Sequence, residues 1–240
     1  VRILAKIETK TGHVVKGRQL EGVRKLGNPA EFARRYYDIG VDEIVFMDSV
    51  ASLYGRKTLD GVVRDVGSVI FVPMCVGGGI ASLADCDLMF DSGADKVSLN
   101  TALFADITLI DRIGERYGSQ AVVVEVQAKK LNGRYMCVNQ YGREETGIEL
   151  TDWLTRIRGR MIGEVSLTAV NHDGVAGGVD WDLIEAARPH IDVPLVYGGG
   201  FNPEIDDIQA LSYWVEGLAI ATSLHNNRFN PAAYSERCTR

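Results

Sequence analysis

The chain is poor in residues that staple a fold or hold a metal. Its four cysteines, Cys75, Cys86, Cys137 and Cys238, form no C-x-x-C pair, and its four histidines, His13, His172, His190 and His225, complete no zinc spacing with them. These absences exclude a zinc module and a disulfide scaffold. The cysteines are read as reduced thiols of a cytoplasmic protein, with Cys75, inside an apolar run, in the core. No metal and no cofactor are expected, and the histidines, which form no triad pattern, are read as non-catalytic. No apolar run approaches ~20 residues and no charged-then-apolar leader opens the chain, so neither a membrane span nor export is expected. Positive charge is also scarce: 26 Lys and Arg against 32 Asp and Glu leave a net charge of -6, which argues against a nucleic-acid face. No G-x-G-x-x-G follows the first apolar run, which argues against a doubly wound dinucleotide fold.

What is present is a regular alternation. Apolar content of 46% and charged content of 24% are those of a globular chain, and 240 residues suit one α/β barrel. Short β-branched runs predict strands over Arg2–Ile7, Glu43–Asp48, Val72–Val76, Lys96–Leu99, Val122–Val126, Glu164–Ala169, Leu195–Tyr197 and Gly217–Ala221. Amphipathic stretches lie between them. Asn28-Pro29 caps a helix over Asn28–Ile39, Ser82 opens another that Gly93 ends, and Asn202-Pro203 opens a third. The chain also contains itself twice. Pro73-x-x-Val76-Gly77-Gly78-Gly79, Asp42-Glu43-Ile44 and Thr101-x-Leu103 recur 121 residues later as Pro194-x-x-Tyr197-Gly198-Gly199-Gly200, Gly163-Glu164-Val165 and Thr222-x-Leu224. Eight strand–helix units in two copies predict a (β/α)8 TIM barrel, one domain over 1–240 with half barrels at roughly 1–120 and 121–240.

Candidate chemistry falls at the strand ends. The glycine triplets, with Gly78 and Gly79 in one and Gly199 and Gly200 in the other, let backbone approach an anion. Asn100 and Thr101, and Thr222 and Ser223, follow the next strands in the same register. Two such cradles on one face imply a ligand phosphorylated at both ends. Glu8, Asp48, Gln127, Thr168 and Asn171 or Asp173 end or follow strands, where a carboxylate can move protons. Lys16 and Arg24 sit in a helix-free loop after the first strand and offer cations to an anion. Arg2, Glu43, Lys96 and Glu164 open four strands and are expected at the barrel bottom as an ion-paired ring.

These residues resemble a known family. Val14-Val15-Lys16-Gly17, Asp42–Asp48, Val76–Ile80, Gly93–Thr101 and Tyr117-Gly118-Ser119-Gln120 look like the cyclase subunit of imidazole glycerol phosphate synthase, and the likeness covers nearly the whole chain. The resemblance implies a lyase of histidine biosynthesis. In that family a glutaminase subunit docks at the barrel bottom, and its ammonia crosses the barrel to a bisphosphorylated ribulosyl aminoimidazole carboxamide nucleotide on the top face. By resemblance Arg2, Glu43, Lys96 and Glu164 match the ammonia gate and Asp95 a glutaminase contact. Lys16, Gly79, Asn100, Thr101, Asp173, Gly199 and Gly200 match positions around the substrate and its phosphates.

The departures are local. Where the family runs Cys-Leu-Asp, this chain has Lys6-Ile7-Glu8, and where it runs Ala-Ile-Asp, this chain has Glu125-Val126-Gln127. The acid pair has become Glu8 and Gln127. Glutamate reaches one methylene further and glutamine does not titrate, so weak or absent cyclisation is expected. Three functions remain open. The first is a divergent paralogue that delivers ammonia to another amidotransferase, which Ala51-Ser52-Leu53-Tyr54-Gly55-Arg56 also resembles. The others are a working cyclase using Glu8 and a non-enzymatic phosphate-binding scaffold.

Overall fold

The structure, a computed structural model, describes residues 1–50 and 59–238; the Ala51–Arg56 run lies outside them. Eight parallel strands close a ring: β1 (Arg2–Lys10), β4 (Glu43–Asp48), β5 (Met74–Gly77), β6 (Lys96–Leu99), β7 (Val122–Leu131), β10 (Glu164–Ala169), β11 (Leu195–Gly198) and β12 (Gly217–Ile220). Closure is direct, since Arg2 to Ala5 of β1 pair with Gly217 to Ile220 of β12. The fold is the expected (β/α)8 TIM barrel.

The strands begin in register with the internal repeat: β4 and β10, β5 and β11, and β6 and β12 each start 121 residues apart. Acidic side chains at the bottom rim pin the starts. Asp42 accepts from the Ile3 N–H at 2.7 Å, Asp95 from Met74 at 2.8 Å and Glu216 from Leu195 at 2.7 Å.

Helices form where caps permit. Asn28 accepts from the Ala30 and Glu31 N–H groups at the head of α1 (Pro29–Asp38). Helix α2 spans Leu59–Gly67. Ser82 caps α3 (Leu83–Asp91), and Gly93 takes φ 106° just beyond it, where a side chain would strain. Then come α4 (Thr101–Ala105), α5 (Leu109–Tyr117), α6 (Leu150–Ile157) and α7 (Trp181–Ala187). The reading of Asn202-Pro203 as a helix start is corrected. Asn202 closes a turn by accepting from the Glu204 N–H, and helix α8 (Ile208–Leu211) begins only after Asp207, whose carboxylate caps it. Helices α9 (Thr222–His225) and α10 (Pro231–Cys238) complete the chain.

The loop expected after the first strand is also corrected. It is an antiparallel hairpin, β2 (His13–Arg18) and β3 (Glu21–Gly27). Its counterpart after β7 is β8 (Arg134–Asn139) and β9 (Glu144–Glu149). Strand β3 is largely exposed and lacks alternating apolar residues, so periodicity gives no signal. The first hairpin folds over the barrel top. Leu20 packs with Val138, Tyr141 and Val170 in a small apolar cluster, and Gln19 donates to the Asn171 carbonyl at 2.8 Å.

The main core lies between ring and helices. A second cluster lies inside the ring: Leu4, Val45, Met47, Cys75, Val123, Val196 and Ala219.

Leu20→Ala removes the anchor of the β2–β3 hairpin. A loss of ~2 kcal/mol is the low end for a buried leucine, which corresponds to roughly 30-fold faster amide exchange. Hydrogen exchange is expected to rise by about that factor over 13–27 and to stay constant in the ring strands. Equal acceleration throughout would contradict a separately docked hairpin.

Candidate functional site

The bottom of the ring holds the expected charged quartet. Arg2 donates to Glu43 at 2.9 Å and to Glu164; Lys96 lies 2.8 Å from Glu43 and 3.9 Å from Glu164. The strand starts turn these four side chains to one point on the axis, where two cations neutralise two carboxylates. Burial raises the Glu43 pKa; Lys96 pulls it back only in part. Asp95 lies exposed on the same rim, its carboxylate engaged by the Met74 N–H.

At the opposite face, Glu8 ends the inward row of β1 and has no exposed surface. Lys16, carried in by β2, lies 2.7 Å from Glu8 and 2.8 Å from Asp173. One buried cation therefore serves two carboxylates. Burial pulls the Lys16 pKa down, but Glu8 and Asp173 outweigh it and hold the ammonium well above its ordinary range. For Asp173, burial and the neighbouring Glu8 charge win over Lys16, and its pKa rises. Asn171 accepts from the Lys130 N–H at 2.7 Å and holds the loop, so of the two candidates Asp173 is the one in the cluster. Arg24 pairs with Lys16 along the hairpin but is exposed.

Gln127 lies on the opposite wall. Its Nε2 donates to Glu125 Oε1 at 3.3 Å, which leaves its carbonyl oxygen buried without a partner. It lines a cavity of about 270 Å³ with Asp48, Gly78, Gly79, Asn100, Thr101 and Tyr141. Asn100 Oδ1 is likewise buried and unpartnered, and the Tyr141 hydroxyl lies against Glu8. Burial and then the Glu8 charge push the Tyr141 phenol well up, so it stays protonated. Gly78 and Gly79 take φ 101° and 74°, and a Cβ at Gly78 would collide with the Asp48 backbone. This wall offers backbone amides and two unpartnered polar atoms that a ligand can satisfy. The second cradle is tighter. Gly199 and Gly200, at φ 105° and 86°, surround only about 20 Å³ with Thr222, Ser223 and Asp173, and Ser223 is engaged by the Phe201 carbonyl.

Two buried groups escaped the sequence reading. Lys6 and Glu125 lie 3.1 Å apart inside the ring, and Thr168 lies 3.3 Å from each. Burial lowers the Lys6 pKa, yet Glu125 and the carboxylates above it raise it further. The signal was available: residues 2, 4, 6 and 8 of a strand share one face, so a lysine between Leu4 and Glu8 points inward.

Lys16→Met leaves two buried carboxylates without their shared cation. Such a change costs about 3–5 kcal/mol, expected in denaturant titration near pH 7. An acid whose folded pKa lies above its unfolded value gains stability as pH falls. Asp173 is already raised, and losing Lys16 raises it further, so the deficit shrinks towards about pH 5. An equal deficit at both pH values would contradict the shared cation.

Comparison with known proteins agrees with this arrangement. Residues 2–230 match the family model described as histidine biosynthesis protein. The imidazole glycerol phosphate synthase subunit HisF of Legionella pneumophila is 40% identical over 203 residues, covering 84% of this chain and 96% of the relative. That of Thermotoga sp. (strain RQ2) is 41% identical over 224 residues, covering 93% and 88%. That of Sulfolobus acidocaldarius is 36% identical over 225 residues, covering 94% and 90%. With the closed ring, its bottom quartet and its glycine cradles, these likenesses show that the chain belongs to the histidine biosynthesis protein family, among the HisF-type barrels.

Proposed function

We infer that this chain is the cyclase-type subunit of an imidazole glycerol phosphate synthase complex. On this reading it binds a bisphosphorylated nucleotide-like substrate on its upper face and accepts nitrogen from a glutaminase subunit docked at its bottom. The observation that carries the reading is one axis with two built ends. A neutralised charge quartet closes the lower mouth, and a buried carboxylate, Glu8, stands with Lys16 beside the glycine cradles at the upper one. Asp95, exposed on the bottom rim, is assigned to the partner interface.

The roles follow from chemistry. Gly78, Gly79, Asn100 and Thr101 hold one phosphate; Gly199, Gly200, Thr222 and Ser223 hold the other once their turn opens. Lys16 fixes Glu8 and Asp173 and can turn to an incoming anion. Glu8 is the proton-transfer group. Asp48 completes the polar lining, and Thr168 supports it from below through Lys6 and Glu125. Gln127 lines the cavity, donates to Glu125 and keeps a buried oxygen without a partner, so its role is to orient an N–H or O–H of the substrate, and it moves no proton.

A second reading, in which cyclisation is lost and the barrel delivers ammonia to another amidotransferase, is favoured by one observation. The only titratable member of the altered acid pair is Glu8, and it is held by Lys16. A pure phosphate-binding scaffold is the third outcome.

Purified chain given the bisphosphorylated ribulosyl aminoimidazole carboxamide nucleotide and ammonium salt is expected to release imidazole glycerol phosphate slowly. Glu8→Gln is expected to reduce turnover by ~10²–10⁴-fold, the usual contribution of a proton-transfer group. Gln127→Asp is expected to raise it at least about tenfold, and only above the pH at which the new carboxylate ionises. No product from the wild-type chain or from Gln127→Asp would reject the cyclase reading.

A further inference from the structure

The charged pair inside the ring lies under the site just described: Lys6 lines the floor of the second cradle, and Glu125 accepts from Gln127. Strands β1 and β7 stand four steps apart in either direction round the ring, on opposite walls. Lys6 reaches from one wall and Glu125 from the other, and their charged ends meet at 3.1 Å. Thr168 of β10 and Gln127 tie the same carboxylate oxygen at 3.3 Å each. Both residues are almost fully buried, at 4% and 2% exposure. Below them come Leu4, Val45, Cys75, Val123 and Val196 of the inner apolar cluster, and then the bottom quartet. A side-chain bridge between opposite walls of a packed barrel crosses its axis. Lys6 and Glu125 also depart together from the Cys and Ala of the family runs. A lone lysine or a lone glutamate there would be an uncompensated buried charge.

We propose that the Lys6–Glu125 pair closes the barrel axis one layer below the upper cavity, and so decides which nitrogen the site uses. While the pair holds, ammonia enters from solvent at the top. Ammonia from the bottom arrives only when the pair breaks. Gln127 links the closure to the cavity, because its Nε2 bonds to Glu125 while the residue itself lines the ligand space. A ligand that turns the Gln127 amide removes one of the bonds holding Glu125. The assignment of nitrogen rests on the cyclase reading; the closure itself does not.

Cys75 is a native reporter, since it lies between the two charged layers. Burial pushes its thiol well up, with Glu43 below and Glu125 above both contributing. The full-length chain is treated with methyl methanethiosulfonate, a small neutral reagent whose sulfur the thiolate attacks to form a methyl disulfide and release methanesulfinate. Mass spectrometry then follows the Cys75 and Cys86 peptides; Cys86 is buried in the core outside the ring. In the wild-type chain Cys75 is expected to react no faster than Cys86. In Lys6→Ala/Glu125→Ala it is expected to react at least about tenfold faster, with Cys86 unchanged. Rapid wild-type reaction at Cys75, or no acceleration in the double variant, overturns the proposal. A parallel rise at Cys86 reports loss of fold, and then Glu125→Ala alone is held to the same two outcomes. The labelling needs no substrate, so the closure and the cyclase reading fail separately.

Discussion

A closed parallel ring gives every inward side chain nowhere else to go. On β1 the inward row is Arg2, Leu4, Lys6 and Glu8, one above another along the axis. Water reaches Arg2 at the lower mouth but not Lys6 or Glu8, so the inner charges must meet counter-charges inside the ring. The barrel meets this demand three times. Arg2 and Lys96 neutralise Glu43 and Glu164 at the bottom; Lys6 and Glu125 meet in the middle; Lys16 is carried in on a hairpin to serve Glu8 and Asp173 at the top. Between the lower two layers lies a band of aliphatic side chains and Cys75.

The upper layer is where this constraint meets chemistry. A single lysine between two carboxylates leaves one negative charge buried, and the raised Asp173 pKa expresses that imbalance. An approaching anionic ligand competes for the same lysine, so binding and the proton state of the cluster are linked. The cavity beyond the cluster sets the hydrogen-bonding groups of Gln127 and Asn100 beside the Asp48 carboxylate, with the Tyr141 phenol between that cavity and Glu8.

Much of this was legible in the residues, for identifiable reasons. The ring strands are short, apolar and repeated at a fixed interval, so β4, β6 and β10 match their expected spans to the residue. Caps at Asn28 and Ser82 announced α1 and α3, because side chains satisfy free amides locally. Asn202-Pro203 misled because the same residue types also close turns. The hairpin carrying Lys16 gave no periodic signal, since β3 buries little and its stability comes from Leu20 docking on residues more than a hundred positions away. Lys6 and Glu125 stand out in the sequence only as parts of the two departing runs, although strand parity places both inside. Their pairing is a long-range event that only ring closure reveals.

Calorimetric titration of the ligand-free chain with the bisphosphorylated nucleotide tests the central claim, that the upper face is built for a phosphorylated substrate, most directly. The account expects saturable one-to-one binding that Gly78→Ala abolishes, because the added methyl meets the Asp48 backbone and the cradle cannot keep its turn. Absence of binding heat in the wild-type chain, or binding unaffected by Gly78→Ala, would contradict it.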